Sequence, residues 1–310
     1  MTSSLAILCP GQGTQNAAMF DMARRDPHAA AQLERWDLDA QLGMPLAKAL
    51  DDPALLYSNQ AAQPLIVAAT LAMWTALRGE LPAPALAAGY SIGELACYGV
   101  ADALTAEDAI GLAVARAKLM DACAAEWPNQ VMVALSGLGA AAAGELLRRY
   151  GFHVAIETGE DSFIAGGIGE RLAHFEAAVV KLGARASVLP VAVASHTPYM
   201  ASAVAPFLHA LEERAFGAPQ VPVLSGISGS LIKHPEQARQ ALARQLAETI
   251  RWADCMDACV EAGITVALEL GPGSSLSRML QARHATIECR SVADFRSLEG
   301  VRKWLASRIG

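Results

Sequence analysis

The chain has 310 residues, of which 53% are hydrophobic and 18% are charged, and its formal net charge is −7. This composition is typical of a globular protein with a large core, in one large domain or two modest ones, and it excludes a disordered chain. An acidic chain of this kind is not expected to bind nucleic acid. The N-terminus has no basic region before its short apolar run, so we predict no signal peptide. No apolar run in the sequence is judged long enough for a membrane span, so we predict none and expect a cytoplasmic location. The six cysteines show no CxxC spacing and are expected to be reduced.

The first predicted element is a buried strand over residues 5–9, because this run is continuously apolar. It leads into the glycine-rich turn Pro10-Gly11-Gln12-Gly13-Thr14-Gln15. The turn lacks the third glycine of a dinucleotide-binding fingerprint and the lysine of a P-loop. It is either a plain turn or a binding loop in which the backbone N–H of Gln12 approaches a ligand. Further along, Gln63-Pro64 is predicted to open an apolar helix over residues 65–77, with the proline near its first turn.

The next feature is Gly89-Tyr90-Ser91-Ile92-Gly93-Glu94, which follows a short apolar run over residues 86–88 and precedes an apolar helical start. A serine with glycine two residues to either side fits a nucleophile elbow, the tight turn between a strand and a helix. The free N–H groups at the start of such a helix can stabilise an oxyanion. The alternative is a helix cap, since Ser91 and Glu94 also fit a capping box.

The helix predicted over residues 105–123 carries Arg116 inside its apolar stripe. A buried arginine is costly unless it meets an anion. The pattern alone favours an internal carboxylate as the partner, with a substrate carboxylate as the second possibility.

From residue 131 the predicted elements follow the order βαββαβ, which is that of a ferredoxin-like unit. We therefore predict an α/β fold with an α/β-hydrolase-like core and a mostly parallel sheet, formed by residues 1–128 and 191–310. A ferredoxin-like α+β subdomain is inserted over residues 129–190. The apolar run 191–194 is predicted to be a strand that ends at His196, where a histidine suits a general base. Neither an internal repeat nor a metal-binding pattern is found, so no metal site is predicted.

Six motifs in register across nearly the whole chain resemble those of the acyl-carrier-protein S-malonyltransferase family. They are the turn at 10–15, Gln63-Pro64, the elbow with Glu94, Arg116 with Lys118 and Met120, Ser195-His196, and Glu269-Leu270-Gly271-Pro272-Gly273. The resemblance implies transfer of a malonyl group from malonyl-CoA to the phosphopantetheine thiol of an acyl carrier protein by a ping-pong route. It implies no permanently bound cofactor.

The resemblance also implies roles for individual residues. Ser91 is the expected nucleophile and His196 its general base. The backbone N–H groups of Gln12 and Ile92 are the expected oxyanion hole. Arg116 is expected to bind the malonyl carboxylate, which reverses the preference drawn from the helix pattern, and Gln63 is expected to line the pocket. A backbone carbonyl of residues 250–252 is expected to orient the histidine.

Tyr90, Ile92, Glu157 and residues 197–199 depart from the usual family pattern. The combination of the elbow and the first turn looks most like the malonate decarboxylase epsilon subunit branch, whose acceptor is a carrier subunit with a coenzyme-A-like group. The alternatives are a malonyl transferase of fatty-acid or polyketide synthesis, a serine thioesterase or hydrolase, and a non-catalytic docking subunit. A hydrolase of this type usually carries a carboxylate between serine and histidine, for which Asp102, Asp108, Asp121 and Asp161 are available.

Overall fold

The computed structural model describes residues 4–309, which form two β-sheets surrounded by helices. The strands are β1 (Leu5–Cys9), β2 (Leu86–Gly89), β3 (Gln130–Ser136), β4 (His153–Glu157), β5 (Ser162–Ile168), β6 (Arg185–Val188), β7 (Val223–Leu224), β8 (Leu231–Ile232), β9 (Ile250–Arg251), β10 (Val266–Glu269) and β11 (Glu288–Ser291). The helices are α1 (Pro27–Arg35), α2 (Leu38–Leu42), α3 (Leu46–Asp51), α4 (Pro53–Leu56), α5 (Asn59–Leu77), α6 (Ile92–Val100), α7 (Ala106–Glu126), α8 (Ala140–Tyr150), α9 (Leu172–Lys181), α10 (Ala201–Glu212), α11 (Pro235–Arg244), α12 (Trp252–Glu261), α13 (Ser275–Arg283) and α14 (Leu298–Ile309).

The larger sheet has the strand order β11-β10-β1-β2-β7-β8. All neighbours in it are parallel except β7 and β8, so the prediction of a mostly parallel sheet is confirmed. Cys9 at the end of β1 pairs with Gly89 at the end of β2. This register brings the turn after β1 and the elbow after β2 to the same edge of the sheet, where ligands of open α/β sheets bind.

The smaller sheet has the order β6-β3-β5-β4-β9. Along the chain, β3, α8, β4, β5, α9 and β6 follow one another in the predicted βαββαβ order. These four strands pair antiparallel, as in a ferredoxin-like unit. The short strand β9 comes from outside residues 129–190 and pairs in parallel with β4. The division into 1–128, 129–190 and 191–310 stays a prediction.

The apolar helix α5 begins earlier than predicted, at Asn59, because the side chain of Ser58 caps it by accepting a hydrogen bond from Ala61 N–H. Pro64 therefore lies inside the helix and not at its start. The helical stretch Asn59–Glu80 is long and apolar enough to meet the criterion for a membrane span, although none is predicted from the sequence. Since 89% of its apolar window is buried inside the fold, it packs as a core helix.

The predicted strand over residues 191–194 is wrong, because this segment is a loop. The last pairing with the smaller sheet is the bond from Leu189 N–H to the carbonyl of Met132. Pro190 has no N–H to continue the ladder, so the chain leaves the sheet there. His196 lies in a turn, and its backbone N–H donates a hydrogen bond to the carbonyl of Leu246.

Candidate active site

Ser91 lies in the sharp turn between β2 and α6, with φ 55° and ψ −118°. This backbone region is strained for a residue with a side chain, and such strain is typical of a nucleophile elbow. The Ser91 side chain makes no capping hydrogen bond. The capping-box alternative is therefore wrong, and Ser91 Oγ is directed elsewhere.

Two glycines allow the elbow to pack this closely. A Cβ atom at Gly89 would collide with the backbone of Gly93 and Glu94, and one at Gly93 would collide with the carbonyl of Cys9. The glycine spacing in the sequence thus has a steric cause: α6 starts in direct contact with the ends of β1 and β2.

His196 faces the serine across the top of the sheet. Its Nε2 lies 2.7 Å from Ser91 Oγ, and its Nδ1 donates to the carbonyl of Gln245 at 2.6 Å. The Nδ1 bond fixes the tautomer that leaves Nε2 free to accept a proton from the serine. The orienting group is a backbone carbonyl as expected, but it belongs to Gln245 and not to residues 250–252. Burial and the positive charge of Arg116 lower the pKa of His196 to about 3, against the Gln245 bond, which raises it. The imidazole is therefore neutral at pH 7.

The four aspartates considered for a hydrolase triad make no hydrogen bond or salt bridge to His196 in the part of the chain that the structure describes. Asp102 pairs with Arg78, Asp108 pairs with Arg214, and Asp121 accepts from Asn59. The arrangement at the site is a serine–histidine pair with a carbonyl as its third member.

Arg116 is 2% exposed and lies beside the serine. Its Nη2 is 3.4 Å from Ser91 Oγ and 3.3 Å from Gln245 Oε1, and its Nη1 donates to Gln63 Oε1 at 2.7 Å. Among residues 4–309 no carboxylate forms a salt bridge with it, so the internal ion pair favoured by the helix pattern is wrong. Burial lowers the pKa of Arg116 to about 10, against the negative charge of Glu94, which raises it. The guanidinium is thus charged at neutral pH.

A chain of side-chain amides surrounds the guanidinium. Asn59 Nδ2 donates to Asp121 Oδ1 at 2.9 Å. The Oδ1 atom of Asn59 therefore faces the other way and accepts from Gln12 Nε2 at 3.1 Å and from Gln63 Nε2 at 3.5 Å. On the other side, Gln245 Nε2 donates to Glu94 Oε2 at 2.5 Å. Gln63 and Gln245 therefore both present oxygen atoms to Arg116.

The backbone N–H groups of Gln12 and Ile92 donate no hydrogen bond within the described residues. Ile92 is the first residue of α6, where the N–H has no partner inside the helix. Gln12 follows Gly11, whose Cβ would lie only 2.7 Å from the carbonyl of Tyr90. The turn after β1 is thus held against the elbow, and Gln12 lines the same cavity as Ser91.

A cavity of about 120 Å³ opens beside Ser91 and His196. The smaller sheet and the segment that leaves it supply an apolar wall, formed by Met132, Ile156, Ile164, Leu189 and Val191. A larger cavity of about 450 Å³ lies near α1 and α2 but holds no nucleophile beside a base. Within residues 4–309 no group of His, Cys, Asp or Glu side chains is arranged to hold a metal ion.

The structure brings together all six residues singled out from the sequence: Gln12, Gln63, Ser91, Ile92, Arg116 and His196. Sequence reasoning missed Gln245, Asn59 and the buried position of Glu94. Glu94 had a signal, because it is a charged residue in the otherwise apolar start of α6. Gln245 had none, since it lies just after the polar helix α11.

The sequence matches the acyl transferase domain family over residues 7–300. It is 31% identical over 297 residues to malonyl CoA-acyl carrier protein transacylase from Mycobacterium bovis, covering 93% of this chain and 96% of that protein. The fold is similar to the crystal structure of malonyl-CoA:acyl carrier protein transacylase from Xanthomonas oryzae pv. oryzae, with a TM-score of 0.89, 27% identity and 99% of each chain covered. It is equally similar to a malonyl-transacylase solved in complex with a type II polyketide synthase acyl-carrier protein, with a TM-score of 0.89, 27% identity, and 97% and 99% of the two chains covered.

Proposed function

The chain belongs to the acyl transferase domain family and is an acyltransferase, and we propose that it moves a malonyl group from malonyl-CoA through an ester on Ser91 to the thiol of an acyl carrier protein. One observation carries the choice of malonyl. The charged guanidinium of Arg116 is buried, contacts only neutral acceptors, and lies 3.4 Å from Ser91 Oγ. A buried cation without a paired anion is costly, and a substrate carboxylate supplies that anion.

The position of Arg116 also favours a short diacid. In a malonyl thioester the carboxylate carbon and the thioester carbon are separated by one methylene, or about 2.5 Å. A carboxylate held by Arg116 would therefore place the thioester carbon next to Ser91 Oγ. A longer diacid has to fold back, and an acetyl group leaves the guanidinium unpaired.

In the first half-reaction, Ser91 Oγ attacks the thioester carbon while His196 Nε2 takes the serine proton. The negative charge that develops on the thioester oxygen is stabilised by the N–H groups of Gln12 and Ile92, and one such donor is typically worth about 10²–10³ in rate. The intermediate collapses to the serine ester as its C–S bond breaks, and the protonated His196 gives its proton to the departing sulfur of coenzyme A.

The second half-reaction repeats these steps with the thiol of the carrier protein as the attacking group. His196 takes the thiol proton, the carrier sulfur attacks the ester, and Ser91 recovers its proton as it leaves. The apolar wall of the cavity keeps water from the ester between the two halves. The route uses no permanently bound cofactor.

The test is an intact-mass measurement after mixing the protein with malonyl-CoA, with acetyl-CoA as a second donor. We expect a malonyl adduct on the wild type, a weak acetyl adduct, and no adduct on Ser91→Ala. Steady release of malonate without a thiol acceptor would identify a hydrolase instead. Absence of both adduct and malonate would require the proposal to be withdrawn.

For the acceptor, the elbow and first-turn motifs support the carrier subunit of malonate decarboxylase. The names of the relatives support a carrier of fatty-acid or polyketide synthesis as the second candidate. Offering both holo-carriers to the malonyl-enzyme separates them, because the physiological acceptor should discharge the ester faster.

A further inference from the structure

Glu94 is a buried carboxyl group near the acyl site to which the proposed reaction gives no role. The residue is 0% exposed and lies in the first turn of α6, three residues after the nucleophile. Its Oε2 accepts from the N–H of Gly226 at 2.9 Å and from Gln245 Nε2 at 2.5 Å, while its Oε1 has no partner among the described residues. A carboxyl group in this position costs free energy, which suggests that it serves the site.

The contacts of Glu94 determine which way the Gln245 amide faces. The Oε2 atom accepts both the N–H of Gly226 and an N–H of Gln245 Nε2, so any proton on the carboxyl group sits on Oε1, which has no other partner among the described residues. The NH₂ end of the Gln245 amide must then face Glu94. Its oxygen faces Arg116 Nη2, at 3.3 Å. With the opposite orientation, NH₂ would face guanidinium and two donors would meet.

Gln245 contacts the base and the guanidinium with different atoms. Its backbone carbonyl accepts from His196 Nδ1, and its side chain contacts Arg116 and Glu94. A substitution of the side chain therefore changes the surroundings of Arg116 and keeps the carbonyl that orients His196.

We propose that Glu94 is a positioning residue, which holds the Arg116 guanidinium in place for the acyl carboxylate through the side-chain amide of Gln245. The proposal rests on the proposed function, because it gives Arg116 the acyl carboxylate as its ligand. It assigns to Glu94 an effect on the choice between acyl groups, and not only on stability.

The experiment measures kcat/KM for acylation of Ser91 by malonyl-CoA and by acetyl-CoA, together with the melting temperature. Glu94→Met removes the acceptor and is expected to lower the malonyl-to-acetyl ratio roughly tenfold or more, since hydrogen bonds to charged groups contribute about 1.5–3 kcal/mol. Glu94→Gln keeps an acceptor oxygen for Gly226 and Gln245, so it is expected to retain most of the ratio. Gln245→Met is expected to lower the ratio as Glu94→Met does.

The double variant Glu94→Met/Gln245→Met tests whether Glu94 acts through Gln245. We expect its malonyl-to-acetyl ratio to equal that of Gln245→Met alone, because Glu94 cannot affect Arg116 once the Gln245 amide is absent. The matched control is Glu269→Met. Glu269 is also 0% exposed and accepts two backbone N–H groups, from Leu276 and Ser277, but it does not contact Arg116 or Gln245. This control should lower the melting temperature and leave the ratio unchanged.

The proposal is overturned if Glu94→Met lowers the melting temperature but keeps the wild-type ratio. It is also overturned if the fold-losses in the malonyl-to-acetyl ratio multiply in the double variant, or if Glu269→Met lowers this ratio as much as Glu94→Met does. A wild type that forms no malonyl ester would refute the proposed function as well. A wild type that is selective for malonyl, beside an equally selective Glu94→Met, would refute only the role of Glu94.

Discussion

The Arg116 guanidinium is held by the side-chain oxygens of Gln63 and Gln245, which are neutral acceptors. The carboxyl group of Glu94 accepts a hydrogen bond from the other end of the Gln245 amide and forms no salt bridge with Arg116. This arrangement keeps the arginine charged and oriented, and no carboxylate among residues 4–309 forms a salt bridge with it. An ion pair in direct contact would instead compete with any substrate carboxylate.

Arg116→Met should lower kcat/KM for malonyl-CoA roughly hundredfold, because a buried charged partner of the substrate is lost. Acylation by acetyl-CoA should fall much less, since that acyl group carries no anion. Single-turnover intact-mass kinetics would measure both rates. Arg78→Met, which removes an exposed arginine paired with Asp102, serves as the control. Equal losses with both donors would contradict the role of Arg116 in binding the carboxylate.

His196 should make the protein less stable in acid. Its pKa is about 3 in the folded protein, against an ordinary histidine value of 6.5 in the unfolded chain, so between these values the unfolded state binds more protons. Its contribution is complete above pH 6.5 and is lost as the pH falls, at up to about 1.4 kcal/mol per pH unit. His196→Asn should therefore lose less stability than the wild type between pH 6.5 and 4.5, by urea unfolding at each pH.

Glu94 works in the opposite direction. Burial raises the pKa of Glu94 to about 7, against hydrogen bonds from Gly226 and Gln245 and the charge of Arg116, which lower it. The folded state binds more protons between pH 4.5 and 7, so acidification through this range recovers stability. Comparing the wild type with His196→Asn isolates the histidine. An identical pH dependence of the two proteins would show that His196 is not held neutral by the fold.

Single residues differ in how well the sequence predicts them. Ser91 is identified by two glycines that sterics require. The apolar stripe predicts that Arg116 is buried but favours an internal carboxylate as its partner, and only the family resemblance implies a substrate carboxylate. Gln245 acts through a backbone carbonyl that every residue type possesses, and its partners lie 49 to 151 residues away. No local pattern encodes such a contact.

Among the elements, α6 depends most on close approach to the sheet. Gly93→Ala would place a methyl group against the carbonyl of Cys9. We expect a loss of roughly 1–3 kcal/mol in the free energy of unfolding, and slower acylation because the N–H of Ile92 moves with the helix. Thermal melts and the malonyl adduct rate would measure both effects.

The control for this substitution is Gly144→Ala, in the interior of α8, where a Cβ atom meets nothing within 4 Å. It should be stabilising by up to about 1 kcal/mol through helix propensity. If Gly93→Ala acylated as fast as the wild type, the contact between α6 and β1 would not position the N–H of Ile92 as the proposed oxyanion donor.

Elements with a strong period were predictable, and those set by tertiary contacts were not. The βαββαβ order of the smaller sheet followed from alternating apolar segments. The apolar run 191–194 predicts a strand, but it is a loop in which Val191 lines the cavity while Val193 and Ala194 are buried in the core. The start of α5 differs from the prediction because the prediction rests on Pro64 and does not include a cap at Ser58.

For the whole molecule, the smaller sheet supplies the apolar side of the cavity, and the turns after β1 and β2 of the larger sheet supply Gln12 and Ser91. Ile164→Thr should raise the rate at which the malonyl-enzyme releases malonate without a carrier, because a hydroxyl group admits water beside the ester. The measurement is adduct lifetime by intact mass. The control is Ile168→Thr, because Ile168 lies on the same strand but does not line the cavity. Its malonyl adduct should decay at the wild-type rate. Equal acceleration in both would indicate general loosening of the sheet.

Ser91 and His196 both have positive φ angles, 55° and 61°. Backbone of this kind costs about 1–3 kcal/mol per residue, and only glycine adopts it freely. Ser91→Ala and Ser91→Gly both remove the hydroxyl group, but only glycine relaxes the turn, so the glycine variant should melt at the higher temperature of the two. The inactive and more stable glycine variant would therefore be the better choice for co-crystallisation with a malonyl-carrier protein.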